Sequence, residues 1–249
     1  MIHDATVPSG IEPTISAMER TGVCYLAARW TPDDLAALAD RLGTEGRASL
    51  ADIPDEDLMT AWCDTVEAYR NPRSTERQTL DPALSLLCQL SPPGLEAGLE
   101  AVLGGVAGAP AEDLQSQANL WKEVIPDRPL VVVTLASNLP ALAVQTLLPA
   151  LLLRCPVLLK SPTAEPLFAP AFVSNLVDRL PALEPSVAAI TWKGGDTSLE
   201  RPILEAADSV LAYGEEDAIA DLDQRAGDKV FAYGPKKSLG VVDPDTEPS

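Results

Sequence analysis

Histidine is nearly missing from this chain: among 249 residues there is one, His3. A histidine-based metal site or a Ser-His-Asp triad needs imidazoles in an ordered interior. His3 lies where fraying is expected, so no metal is expected. Basic residues are also few, 18 Lys and Arg against 37 Asp and Glu, giving a net charge of −19 and a pI near 4.3. Nucleic acid and anionic lipid are held by clustered Lys and Arg, so neither is an expected partner. The four cysteines, Cys24, Cys63, Cys88 and Cys155, are widely spaced and form no CxxC or zinc pattern. A chain of this size builds its core without disulfides. The most apolar run, 139–153, is interrupted by Gln145 and Pro149 and ended by Arg154. It is too short to span a bilayer and is expected to be a buried helix, so no membrane span is expected. Residues 1–11 contain Asp4 and no apolar core of a signal peptide, so a cytoplasmic protein is expected.

What is present is globular in make-up, 46% hydrophobic and 22% charged. The chain divides near residue 125. Residues 1–125 read as helical. Thr31-Pro32-Asp33-Asp34 is a helix start with an N-cap hydroxyl, proline at the first position and acids at the positive end, and Gly43 is expected to stop that helix. Pro54-Asp55-Glu56-Asp57 opens a second helix, whose Leu58, Trp62, Val66 and Tyr69 share one face. Asp81-Pro82 opens a third. Ser91-Pro92-Pro93 separates it from a fourth, which carries Leu95, Leu99, Val102 and Leu103 and is expected to end at Gly104-Gly105. Pro110-Ala111-Glu112-Asp113 starts a fifth.

Residues 126–242 have a different rhythm, and 243–249 read as a disordered tail. Strands are expected at 130–135, 157–160, 187–192, 209–213 and 229–233. Helices are expected at 140–153, 165–180, 198–207 and 216–226. Alternating strand and helix implies parallel strands with right-handed crossovers. The expected fold is therefore α/β: a Rossmann-like sheet of about five strands with helices on both faces, preceded by a helical segment.

In such a sheet, ligands bind beyond the carboxyl ends of the strands. Those ends read Ala136-Ser137-Asn138, Lys160-Ser161-Pro162-Thr163, Lys193-Gly194-Gly195-Asp196, Tyr213-Gly214-Glu215 and Tyr233-Gly234-Pro235-Lys236-Lys237-Ser238. Small, polar and basic residues thus gather on one edge, where a nucleotide is the natural candidate. GxGxxG is absent after the first strand, and so is the acid that usually anchors a ribose at the end of the second. Lys160 stands there instead, and a cation suits a 2′-phosphate, which points to NADP(H) with NAD(H) as the alternative.

Leu135-Ala136-Ser137-Asn138-Leu139-Pro140, followed by Leu158-Leu159-Lys160-Ser161-Pro162, resembles the cofactor-binding domain of the aldehyde dehydrogenase superfamily. The closer resemblance is to fatty acyl-CoA reductases of the bacterial luminescence (LuxC) type. It is carried by Thr191-Trp192-Lys193-Gly194-Gly195-Asp196, by the run from Ala207 to Gly214 and by the run from Phe231 to Ser238. It covers about residues 50–242. The resemblance implies NADPH-dependent reduction of a fatty acyl thioester, such as fatty acyl-CoA, to a fatty aldehyde through a cysteine thioester. It implies that Asn138 helps hold the developing oxyanion. It likewise implies that Ser137, Lys160, Ser161, Pro162, Trp192, Gly194, Gly195, Tyr213 and Gly214 bind the cofactor.

There are departures from the family pattern. Glu215 and Glu216 stand where a diphosphate would approach, and Phe231-Ala232-Tyr233-Gly234 lacks the superfamily's glutamate. In the family the nucleophilic cysteine lies in a second α/β domain beyond this segment, whereas this sequence ends at Pro244-Asp245-Thr246-Glu247-Pro248-Ser249. Cys155 precedes the second strand, and Cys24, Cys63 and Cys88 read as core residues of helical stretches, so no nucleophilic cysteine is identified. The chain is therefore expected to supply the cofactor-binding half. A homo-oligomer or a separate chain with the catalytic domain is the expected partner, and the alternative is a non-catalytic nucleotide-binding or interaction module.

Overall fold

The computed structural model describes residues 2–107, 116, 130–136 and 140–234. It opens on a hairpin rather than a helix: β1 (Thr14–Arg20) pairs antiparallel with β2 (Val23–Arg29). Thr21 and Gly22 have φ of 51° and 78°, the two left-handed residues of a tight hairpin turn. The wholly helical reading of residues 1–125 is corrected accordingly. β1 lies on the surface and shows no apolar alternation, so only Thr-Gly and the alternation of Val23, Tyr25 and Ala27 announced the pair. Nor does the N-terminus fray. His3 bridges Leu26, the Asp4 N–H donates to the Leu26 carbonyl at 3.0 Å, and Asp4 Oδ1 accepts from the Ala28 N–H at 2.8 Å. Thr6 pairs with Ala189 in both directions, at 2.7 and 2.8 Å, so residues 2–6 strap the hairpin to the edge of the main sheet.

α1 (Pro32–Arg41) starts at the expected cap, with Thr31 and Asp34 forming a reciprocal capping box. Gly43 does not stop it. A π-turn, Leu42–Gly46, leads into α2 (Arg47–Asp52). Glycine serves close approach here, at Gly46: a Cβ there would lie 2.6 Å from the Pro185 carbonyl oxygen, and the Ser186 hydroxyl donates to the Gly46 carbonyl at 2.9 Å. α3 (Asp55–Arg70) buries Leu58, Trp62, Val66 and Tyr69 as expected. α4 (Thr75–Cys88) begins before Asp81-Pro82, because the Ser74 hydroxyl caps it by accepting from the Arg77 N–H; Pro82 lies inside it. α5 (Pro92–Ala107) runs through Gly104-Gly105. The helix start expected at Pro110 lies outside the described residues.

The second half alternates as its sequence implies. β3 (Val131–Thr134), α6 (Leu142–Leu152), β4 (Val157–Ser161), α7 (Phe168–Arg179) and β5 (Val187–Thr191) are followed by α8 (Thr197–Ala206), β6 (Ser209–Tyr213), α9 (Glu216–Ala226) and β7 (Val230–Tyr233). All five strands are parallel, in the order β5-β4-β3-β6-β7. Chain order therefore reverses direction between β3 and β6, the switch point of a doubly wound sheet.

Alternate residues of each strand enter two cores, as the period of two demands. Val131, Val133, Val157, Leu159, Val187 and Leu211 face α6 and α7, which α3, α4 and α5 cover in turn. Val132, Leu158, Ala188, Ile190 and Val210 face α1 and α8. The first half thus packs directly on the second. Trp62 and Tyr69 of α3 meet Phe172 of α7 at centroid distances of 5.4 and 5.2 Å, and Tyr69 meets Phe168 at 5.4 Å. The Asn175 amide donates to the Tyr69 hydroxyl at 2.8 Å. The boundary expected near residue 125 lies outside the described residues, and the two regions share one apolar core.

Among the described residues, the carboxyls of Asp4 and Glu165 are buried with no ion pair. Burial lifts Asp4 from 3.8 to about 6, against the hydrogen bond from Ala28. Burial lifts Glu165 from 4.5 to about 8, although its Oε1 accepts from the Leu167 and Phe168 N–H groups at the start of α7. Both groups hold their proton more tightly folded than unfolded, so the stability they allow is fully present below their unfolded values. It is lost as pH rises through about 6 and then about 8. Denaturant unfolding should show stability falling between pH 5 and 8, by up to about 1.4 kcal/mol per pH unit from Glu165. Glu165→Gln keeps the acceptor oxygen and should flatten that limb. Gly46→Ala should cost about 1–3 kcal/mol in the same assay, because the Pro185 backbone has to move.

Candidate functional site

Where the order of strands reverses, neighbouring crossovers part and leave a crevice at the carboxyl edge. A cavity of about 950 Å³ occupies it here. Its wall is made by Thr134-Leu135-Ala136 at the end of β3, Lys160 and Pro162 at the end of β4, Gly194-Gly195 beyond β5, Tyr213-Gly214-Glu215 at the end of β6, and Tyr233-Gly234 at the end of β7. Glu200 of α8 and Asp217, Ala218, Ile219, Asp221, Leu222 and Arg225 of α9 close the other side.

Of the residues singled out from sequence, Lys160, Pro162, Gly194, Gly195, Tyr213 and Gly214 come together on this wall. Trp192 is buried behind it, with its indole N–H donating to Glu200 at 2.9 Å. Ser161 is buried, and its hydroxyl has no hydrogen-bond partner among the described residues. Ser137 and Asn138 lie outside the described residues, as do Lys236 and Lys237. Lys193 is exposed and does not line the cavity.

The ammonium of Lys160 lies 5.8 Å from the centroid of the Trp192 ring, and among the described residues no hydrogen bond or ion pair engages it. Burial pulls its pKa below the usual lysine value, and Glu200 pulls the other way. The Thr134 hydroxyl, on the wall itself, is also buried without a hydrogen-bond partner among the described residues. Unengaged polar atoms at the edge of a cavity are places where a ligand can be held. Gly195 has φ of 82°, which lets the chain turn from β5 into α8, where Asp196 caps the helix by accepting from the Leu199 N–H at 3.2 Å.

Sequence reasoning missed Glu200, Asp221 and Arg225, and it placed Tyr233 on the ligand edge without assigning it a contact. Glu200 accepts from Trp192 through one oxygen and from Arg225 through the other, and Arg225 also binds Asp221. Tyr233 stacks on Tyr213 at 4.6 Å with rings 11° apart, and burial together with Tyr233 lifts the Tyr213 phenol to about 12. Glu200, Asp221 and Arg225 lie in helices that read as ordinary amphipathic cover, and no short motif marks them. The Tyr pair had a signal: both tyrosines close their strands ahead of a glycine, and they prove to be register partners.

The described cysteines stand apart from the cavity. Cys24 is exposed on β2 and Cys63 exposed on α3, which corrects their assignment to a helical core. Cys88 is half-buried at the end of α4, where burial and nearby Glu165 lift its thiol to about 12. Cys155 is buried just before β4, at the opposite edge of the sheet. Among the described residues no group of His, Cys, Asp and Glu is arranged to hold a metal, and no helix is long and apolar enough to cross a membrane.

Solved structures share this architecture. An NADP-dependent enzyme of E. coli superposes over 92% of this chain and 51% of its own, with a TM-score of 0.70 and 13% identity. The NADP-dependent glyceraldehyde-3-phosphate dehydrogenase of Bacillus halodurans C-125 does so over 87% and 48%, with a TM-score of 0.67 and 13% identity. At such identity the likeness is one of fold, that of the aldehyde dehydrogenases. Sequence relatives are the long-chain acyl-protein thioester reductase 2 of Photobacterium leiognathi, 32% identical over 119 residues, and the corresponding reductase of Photorhabdus luminescens, 32% identical over 120. These matches take in 45% and 44% of this chain but 25% and 24% of the relatives, so the chain spans about a quarter of their length. The family model for acyl-CoA reductase (LuxC) matches residues 56–248, and with most of its length so matched the chain belongs to that family.

Proposed function

We propose that the chain binds a nicotinamide dinucleotide across the switch point, as the cofactor-binding part of an acyl thioester reductase. The observation that carries this reading is the Lys160 ammonium, over the Trp192 ring and without a hydrogen bond or ion pair among the described residues, on the wall of the switch-point cavity. The residues present fit the group. About 950 Å³ lies at the upper end of the usual size of ligand pockets, and the lone Thr134 hydroxyl and the first turn of α9 offer polar contacts along it. Lys160, Pro162, Gly194 and Gly195 would hold the adenosine end, and Tyr213 and Gly214 the middle. Asn138 remains the candidate for holding an oxyanion, on its motif alone. When bound, the nicotinamide supplies the reducing equivalents for the acyl carbonyl.

The substrate class follows from the family: a fatty acyl thioester, on CoA or on protein, which loses a thiol and leaves as a fatty aldehyde. Lys160 favours NADP(H) through attraction to a 2′-phosphate, and two structural neighbours carry NADP in their names. A second reading, nucleotide binding without turnover, draws support from the four cysteines, none of which lies at the cavity among the described residues. Under the first reading, the thiol comes from a longer protein or from a partner chain.

Fluorescence titration of the purified chain should show saturable binding of NADPH, and Lys160→Met should weaken it about tenfold or more. Failure of both NADPH and NADH to bind would refute the proposal. Incubation with acyl-CoA and NADPH should yield no aldehyde from this chain alone. Thiol-dependent aldehyde formation would show that one of its own cysteines is the nucleophile.

A further inference from the structure

The carboxyl end of the second strand of a doubly wound sheet is where an adenosine ribose is read, usually by an acid that accepts from its hydroxyls. At the end of β4 this chain has Lys160, and the first acid beyond it, Glu165, is buried against the start of α7 and does not line the cavity. The structure brings one from elsewhere: Glu200, in the first turn of α8, lines the same cavity as Lys160. We propose that Glu200 is a specificity-determining residue of the cofactor site, accepting from the ribose hydroxyls and opposing a 2′-phosphate, so that the chain takes NAD(H) alongside NADP(H). This rests on the cavity's being the nicotinamide site.

The geometry of Glu200 supports the assignment. It is 5% exposed, so its carboxylate has lost almost all its water, yet it is one of the residues that line the cavity. Trp192 Nε1 holds Oε1 at 2.9 Å and Arg225 Nη1 holds Oε2 at 2.5 Å, so the side chain is fixed in place. A carboxylate has about four acceptor positions, and these two donors fill half of them. The rest remain for hydroxyls. The Lys160 ammonium sits over the same Trp192 ring, so one indole has the cation over its ring and the anion at its N–H edge.

Charge then decides between diol and phosphate. Among the described residues, the ionisable groups of fixed sign on the cavity wall are Lys160 and Arg225 against Glu200, Glu215, Asp217 and Asp221. Arg225 is committed to Glu200 and Asp221. Among the described residues an entering 2′-phosphate therefore meets one cation without an ion pair, Lys160, and the carboxylate of Glu200, paired with Arg225, in a poorly solvated place where like charges repel strongly. A ribose diol meets an acceptor and a cation and loses nothing. Attraction by Lys160 and repulsion by Glu200 offset each other, which leaves the two cofactors comparable.

The test is titration of NADPH and NADH into the wild type, Glu200→Gln and Arg225→Gln, with a melting curve for each. The wild type should bind both within about tenfold of each other. Glu200→Gln should raise the NADPH to NADH affinity ratio by about tenfold or more, through tighter NADPH and weaker NADH. Arg225→Gln, which strips the counter-charge from Glu200, should move the ratio the other way. A wild type that prefers NADPH by more than about a hundredfold, or a folded Glu200→Gln with an unchanged ratio, would overturn the role of Glu200 and leave the cofactor site standing. Failure of both cofactors to bind the wild type would overturn both.

Discussion

Five parallel strands expose apolar side chains on both faces, and neither face can be left to water. In this chain the covering is shared between its two halves. The crossover helices α6 and α7 lie on one face and α8 and α9 on the other, but α3, α4 and α5 close the first and α1 completes the second. The seam is aromatic: Trp62 and Tyr69 against Phe168 and Phe172, gathered from a chain with only three Phe, four Tyr and four Trp. The same constraint makes the site. With helices on both faces, the sheet is open only at the ends of its strands, and at the carboxyl end the order β5-β4-β3-β6-β7 leaves a crevice between crossovers that diverge.

The sheet was legible because its strands are short, apolar and regularly separated by helical periods. All five expected strands lie within a residue or so of their observed places, and β6 coincides. The first half was less legible where local signals carried two meanings. Gly43 and Gly104-Gly105 read as stops, but packing of the following turn against the core outweighs the modest cost of glycine in a helix. Asp81-Pro82 read as a start, yet the Ser74 cap begins α4 earlier, and burial of Arg77, Leu80 and Leu84 sustains it through the proline. The hairpin was hidden because β1 lies on the surface and carries no period of two.

At the site, turn residues were visible and helix residues were not. Lys160, Gly194, Gly195, Tyr213 and Gly214 follow strands, so topology alone gathers them. Glu200, Asp221 and Arg225 reach the cavity through the packing of α8 and α9 side by side, which no local pattern encodes. Their arrival changes the electrostatics. Sequence alone placed four lysines at the strand ends against an acidic background; of the described ones, Lys160 lines the cavity and Lys193 does not. Among the described residues of the wall, the acids Glu200, Glu215, Asp217 and Asp221 outnumber the cations Lys160 and Arg225. The pocket therefore gains little from net charge and depends on shape, hydrogen bonds and one well-placed ammonium.

The central claim is that the crevice beyond β3, β4 and β6 holds a nicotinamide dinucleotide. Amide hydrogen exchange with and without saturating NADPH measures this in place. Protection should rise in 134–136, 160–164, 193–200 and 213–222, while 153–157 at the opposite edge and the β1–β2 hairpin stay unchanged. Protection confined to that opposite edge or to the hairpin, or no protection at a concentration far above that of the protein, would contradict it.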